Sequence, residues 1–272
     1  MTGFQDRLRT LVADRGNLCV GVDPHPSLVR AWGYEPDLAG AERVCRELIA
    51  AVGDRVAAFK PQSAFFEAFG SAGVAALARV LTEIAAAGAL AILDVKRGDI
   101  GSTMAGYAHA HLSGLTDLSA DAITLSPFLG FDALLPAIEL AQRTERGVYV
   151  LCRTSNPEGT GVQLAEHGHH SVAQQVVDRA RTINRAADCG VVGLVIGATL
   201  PKLDVDLTGF SGSILAPGIG AQGATISGLT SLFNAAVGQV LPTVSRAVMQ
   251  VGPQAGRLRE TVDALTGCQC AN

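Results

Sequence analysis

Of the 21 basic residues in the chain only three are lysines, Lys60, Lys96 and Lys202; the rest are arginines. Arginine keeps its proton at any working pH, whereas lysine can release it. In a sequence that uses Arg wherever a generic positive charge will do, each remaining Lys is a candidate for proton transfer. Two of the three stand near carboxylates: Asp94, Lys96 and Asp99 share the run L-D-V-K-R-G-D, and Lys60 ends A-A-F-K. On a strand, Asp94 and Lys96 fall on one face while Val95 points away into a helical layer. The Arg97-Gly98 turn then presents Asp99 just beyond the strand, and Lys60 comes from the preceding one. The outcome is a row of alternating charge, Lys60, Asp94, Lys96, Asp99, suited to stabilising a developing charge and delivering a proton. Burying four ionisable groups costs several kcal/mol for each one left unsatisfied, so chemistry explains the row better than structural pairing does.

A second constellation is P-G-I-G-A-Q-G at 217–223, which formally contains G-x-G-x-x-G. A dinucleotide fold would need an acidic residue about 20 positions later to hold the ribose, and residues 224–259 contain no Asp or Glu. The remaining reading is a phosphate loop in which backbone N–H groups near Pro217, Gly220, Gln222 and Gly223 meet an anion at a helix start, with Arg246 nearby. Asp23 after C-V-G-V and Ser126 in T-L-S-P close two further apolar runs with polar groups.

These residues need a scaffold that collects strand ends at one rim. Apolar, β-branched runs at 18–23, 56–60, 90–96, 122–126, 148–153, 191–197, 213–218 and 243–246 are separated by stretches of helical period at 41–52, 74–87, 133–142 and 172–187, with no hairpin turn joining neighbouring runs. Eight such repeats predict a single (β/α)8 TIM barrel over residues 1–272, with an extra N-terminal helix at 5–13 that closes the barrel bottom and a frayed tail at 267–272. In this fold catalytic groups sit at the C-terminal ends of the strands.

Composition narrows the function classes. With 21 Lys+Arg against 25 Asp+Glu the net charge is −4, which leaves no basic surplus for a nucleic-acid backbone. The longest apolar stretches, 84–93 and 190–200, are too short to span a bilayer, and the charged N-terminal segment lacks the apolar core of a secretory signal. A cytoplasmic protein is expected. The six cysteines contain no C-x-x-C pair, so neither a disulfide framework nor a zinc site is expected. The H-G-H-H run at 167–170 reads as a solvated helix or loop segment rather than a metal site.

Taken together, G-V-D-P at 21–24, F-K-P at 59–61, L-D-V-K-R-G-D-I-G-S-T at 93–103 and A-P-G-I-G-A-Q-G at 216–223 resemble the orotidine 5'-phosphate decarboxylase family in its longer bacterial subgroup. The resemblance runs from Asp23 to Arg246. It implies that Lys60, Asp94, Lys96 and Asp99 form a charge tetrad, and that Asp99, Ile100 and Thr103 reach into a partner subunit's site in a homodimer. It further implies that Asp23 and Lys60 hold ribose hydroxyls, Ser126 meets the pyrimidine edge, Gln222 bridges base and phosphate, and Gly220, Gly223 and Arg246 bind phosphate. The implied reaction is loss of CO2 from a nucleotide to give UMP, the last step of de novo pyrimidine nucleotide synthesis. It leaves a carbanion at C6 with no adjacent π system, so Lys96 would stabilise that charge and then protonate it, without metal or organic cofactor. Two alternatives stand beside this reading: a Mg²⁺-dependent phosphosugar lyase or synthase of the same superfamily, and a noncatalytic barrel that binds a phosphometabolite. The segment 154–163 has no assigned role, although Ser155 and Asn156 are candidate polar contacts.

Overall fold

The barrel strands are short and apolar because parallel strands buried on both faces need no polar alternation. A computed structural model describes residues 3–187, 189–220, 223–234, 236 and 240–270. After α1 (Phe4–Arg15), the chain runs β1 (Cys19–Val22), α2 (Pro26–Ala31), α3 (Leu38–Val52), β2 (Ala58–Pro61), α4 (Ser63–Glu67), α5 (Gly70–Ala86), β3 (Leu90–Arg97), α6 (Gly101–Leu112) and β4 (Ala122–Leu125). It continues through α7 (Leu135–Arg143), β5 (Gly147–Arg153), α8 (Thr160–Gln163), β6 (Glu166–His167), β7 (His170–Ser171), α9 (Val172–Ala186) and β8 (Val192–Ile196). The last elements are β9 (Ile214–Pro217), α10 (Ile226–Phe233), β10 (Val240–Val244), α11 (Arg246–Met249) and α12 (Ala255–Cys270).

Eight strands close a parallel barrel in the order β1-β10-β9-β8-β5-β4-β3-β2. The outer helices are amphipathic and capped. In α3 the buried Ala41, Val44, Cys45, Leu48, Ile49 and Val52 recur every three or four residues, and the Asp37 carboxylate accepts the Gly40 N–H at its start. Ser171 caps α9 in the same way through Gln174. These helices cover the strands and enclose the main apolar layer.

A second, smaller cluster fills the barrel interior at the end opposite the strand C-termini. Phe4 and Leu8 of α1 pack there with Cys19, Ala58, Leu90, Ile92, Tyr149 and Leu241, so the extra helix plugs the bottom as the sequence suggests. Phe4 meets the Tyr149 ring edge-on with centroids 6.1 Å apart, and the Tyr149 hydroxyl is 2.7 Å from Ser213 Oγ. Gly193 makes room for this ring, since a Cβ there would lie 2.6 Å from it.

Two expectations need correction. The last barrel strand is Val240–Val244 rather than 243–246, and Arg246 opens α11. Pro242 reads locally as a strand breaker because it lacks an N–H, yet the complete burial of Val240, Leu241 and Val244 outweighs one missing ladder donor. The H-G-H-H run forms the antiparallel β6–β7 hairpin rather than a helix or plain loop, with Gly168 turning at φ 70° and His170 Nδ1 2.9 Å from Asp178. At the other end of the chain α12 extends to Cys270; residues 271–272 and the side chains of 268–270 lie outside the described residues.

Candidate active site

The barrel register aligns the charged residues. Gly21 of β1 is level with Lys60 of β2, and Gln62 bridges to Asp94 of β3. Lys60 and Asp94 are 6% and 7% exposed, whereas the Lys96 side chain is about half exposed and faces the open rim. One carboxylate organises the group. Asp94 Oδ2 accepts hydrogen bonds from Lys60 Nζ and Gln62 Nε2, each at 3.0 Å. Its Oδ1 accepts from Lys96 Nζ at 2.6 Å and from the Thr124 hydroxyl at 2.8 Å.

The electrostatics follow from this packing. Burial alone would raise the Asp94 pKa, but the Lys60 and Lys96 ammonium groups and their hydrogen bonds override it and hold the carboxyl well below its usual range. Burial likewise works against the Lys60 ammonium, and the charges of Asp94 and Asp23 outweigh it and push the Lys60 pKa above its ordinary value. Beneath them, burial raises the Cys19 thiol to about 12, which keeps it protonated and inert.

Simple strand alternation does not carry through to Lys96. Its φ is 45°, a left-handed conformation rare for a residue with a side chain, which costs about 1–3 kcal/mol and persists only where surrounding contacts enforce it. Gly98 then lets the turn after β3 pass close to β4, where a Cβ would lie 2.3 Å from the Ser126 carbonyl oxygen.

These groups open into a cavity of about 560 Å³ at the C-terminal ends of the strands. Its wall includes the predicted Asp23, Lys60, Asp94, Lys96, Pro217 and Arg246. The Asp23 Oδ1 atom is buried and has no hydrogen-bond partner among the described residues. Arg246, exposed at the rim, forms no ion pair among them. A larger depression of about 900 Å³ lies outside the barrel against α3 and α5, but most of its charged groups pair with neighbours, among them Arg46 with Glu83 and Glu42 with Arg79. The smaller cavity is the one with converging, unspent polar groups.

The remaining expected residues lie elsewhere. Asp99 does not join the charge row of its own chain; its carboxylate accepts the Ile100 N–H at 2.8 Å, and Ile100 and Thr103 are exposed at the start of α6. Ser126 is not part of the cavity wall, and its N–H bonds the Arg97 carbonyl. The Gly220 and Gly223 amides are engaged inside their own loop, by the Ala224 and Gly220 carbonyls. Gln222 lies outside the described residues.

Sequence reasoning missed Gln62, Thr124 and Thr154, all on the wall. Gln62 was findable, since it lies two residues after Lys60 and so on the same face. Thr154 had a weaker signal, its place directly after β5, and its hydroxyl is held by Gln163 and Asn156.

A closed (β/α)8 barrel whose mouth holds an interlocked Lys-Asp-Lys set, a free arginine and a glycine-rich turn defines an enzyme of acid–base chemistry on an anionic substrate. Residues 16–261 match the family model for the orotidine 5'-phosphate decarboxylase / HUMPS family, and the chain belongs to that family. It is 48% identical to the orotidine 5'-phosphate decarboxylase of Salinispora arenicola over 274 positions, covering 100% of this chain and 99% of the relative. A crystal structure from Streptomyces avermitilis superposes with a TM-score of 0.96 at 48% identity, covering 100% of this chain and 96% of the other. The OMP decarboxylase of Leishmania donovani superposes with a TM-score of 0.80 at 32% identity, covering 99% and 98%.

Proposed function

We propose that the chain is a carboxy-lyase that converts orotidine 5'-phosphate to UMP and CO2 as the last step of de novo pyrimidine nucleotide synthesis. The observation that carries the reading is the Lys96 ammonium, held 2.6 Å from Asp94 at the mouth of the cavity. The C6–carboxylate bond breaks, its electron pair stays on C6 as CO2 leaves, and Lys96 donates a proton to C6; solvent then reprotonates the amine. An ammonium strengthens its interaction as charge moves from carboxylate to carbon, which lowers the barrier selectively. Arg at this position would keep the charge and withhold the proton.

The other residues bind and orient. The unpartnered Asp23 oxygen, with Lys60, suits ribose hydroxyls, and Arg246 beside Pro217 suits the phosphate. Binding energy from the distant phosphate can be used to orient the reacting ring. Asp99, Ile100 and Thr103 are not on the wall of their own cavity, which supports a homodimer in which they complete the partner's site. Exposed Ile100, Phe128 and Leu129, following the neighbouring strands β3 and β4, are apolar surface for that contact. A nucleotide substrate fits a cytoplasmic location; no helix of the described residues is long and apolar enough to cross a membrane.

The test is ultraviolet detection of orotidine 5'-phosphate conversion by the purified protein with excess EDTA, alongside Lys96→Ala. Chelator-resistant turnover that disappears in a folded Lys96→Ala variant supports the reading. Turnover only with added Mg²⁺ transfers the assignment to phosphosugar chemistry, and nucleotide binding without conversion to a noncatalytic barrel.

A further inference from the structure

The β3–β4 ladder is interrupted at the catalytic strand. Leu93 pairs with Ile123 and Arg97 pairs with Leu125, so three residues of β3, Asp94, Val95 and Lys96, face a single residue of β4, Thr124. A bulge of this kind re-aims side chains and leaves backbone groups without ladder partners. Here the Thr124 hydroxyl takes over: it accepts the Lys96 backbone N–H at 2.8 Å and donates its own proton to Asp94 Oδ1 at 2.8 Å. That Asp94 oxygen is the one that accepts from Lys96 Nζ. Thr124 is 1% exposed, so its hydroxyl bonds are sheltered from bulk solvent.

We infer that Thr124 is a positioning residue, whose hydroxyl locks the left-handed backbone of Lys96 and sets the Lys96 ammonium against Asp94 for proton delivery. One oxygen atom ties the two ends of Lys96, the backbone through its amide and the ammonium through Asp94. Valine has the same shape and neither hydrogen bond, whereas serine keeps both. Thr124 shares no hydrogen bond with Arg246 or Asp23, so the groups assigned to phosphate and ribose keep their places without it.

The inference rests on Lys96 as the proton donor, and the experiment separates the two claims. Thr124→Val, Thr124→Ala and Thr124→Ser are compared with wild type for kcat, KM and UMP affinity, and the crystal structures of the variants are determined. The expected result is a loss of kcat on the order of 100-fold in the Val and Ala variants, the scale of a small misplacement of a reacting group. KM and UMP affinity stay within about twofold, and Ser restores kcat, as expected when the lost term acts on the reacting group alone. In the structures, Lys96 leaves its positive φ in Val and Ala and keeps it in Ser. If wild type turns over and either Val or Ala retains kcat within about twofold of it, the inference is overturned. It is also overturned if Ser loses as much as Val, or if KM and UMP affinity change along with kcat. Should wild type fail to turn over, the functional reading falls by itself. The crystal structures then decide Thr124 alone, an unchanged Lys96 backbone in Val and Ala overturning its role.

Discussion

Asp94 accepts four hydrogen bonds, two of them from ammonium groups, and both lysines depend on it. Removing one partner of a buried ion pair leaves the other uncompensated, typically at about 3–5 kcal/mol. Asp94→Asn is therefore expected to lower Tm measurably at pH 7, and an unchanged melting curve would contradict the arrangement. The pH dependence follows from the two shifts. The Asp94 pKa is depressed below the ordinary 3.8, so its contribution is present above that value and is lost as pH falls through the lower folded one. The Lys60 pKa is raised above 10.5, so its contribution is present below that value and is lost as pH rises through the higher folded one. The stability difference between wild type and Asp94→Asn should thus be flat from about pH 5 to pH 9 and shrink below about pH 4. Chemical denaturation across that range measures it.

Helix α1 is the element whose role is most separable from chemistry. Phe4 and Leu8 are 4% and 2% exposed and fill the interior at the barrel bottom, where the strands leave a gap around Tyr149. Truncating a buried Phe costs about 3–5 kcal/mol through lost transfer energy and the cavity left behind. Phe4→Ala should therefore lower Tm while leaving KM near wild type, since the site lies at the opposite end of the strands. Thermal melting with parallel kinetics checks both parts, and a KM rise of the same proportion as the stability loss would show the two ends to be coupled. Strand β3 is the reverse case. Its bulge spends backbone regularity on aiming Lys96, and the compensating contact comes from β4.

The barrel collects Asp23, Lys60, Asp94, Lys96 and Arg246 from four strand ends at one rim, while Asp99 of the same chain is not on the cavity wall. In the proposed homodimer Asp99 meets the partner's site, and C2 symmetry makes the arrangement reciprocal because the same surface serves both subunits. Subunit mixing tests this directly. Lys96→Ala and Asp99→Ala proteins, each inactive alone, are unfolded together and refolded. In a mixed dimer one site carries both lesions and the other carries none, so random pairing restores about a quarter of wild-type activity. No recovery, with dimers confirmed by sedimentation, would place Asp99 outside the partner's site.

Much of this was legible in the chain itself. The near-absence of lysine isolated Lys60 and Lys96, and closeness in sequence put Asp94 near Lys96, although the bulge and the left-handed φ of Lys96, rather than strand alternation, set their contact. The eight-fold alternation of apolar runs and amphipathic helices likewise determined the barrel, since burial on both faces leaves its mark along the sequence. The boundary of β10 was hidden because Pro242 opposes a strand locally and only full burial in the closed barrel overrides it. Tertiary structure alone decided that Asp99 takes no part in the Lys60–Asp94–Lys96 hydrogen bonds, and that the Gly220 and Gly223 amides are spent within their loop. It alone also decided that Thr124, 28 residues from Lys96, holds its backbone. Contacts between distant segments depend on register and on a bulge, and neither has a local signature from which it could be read.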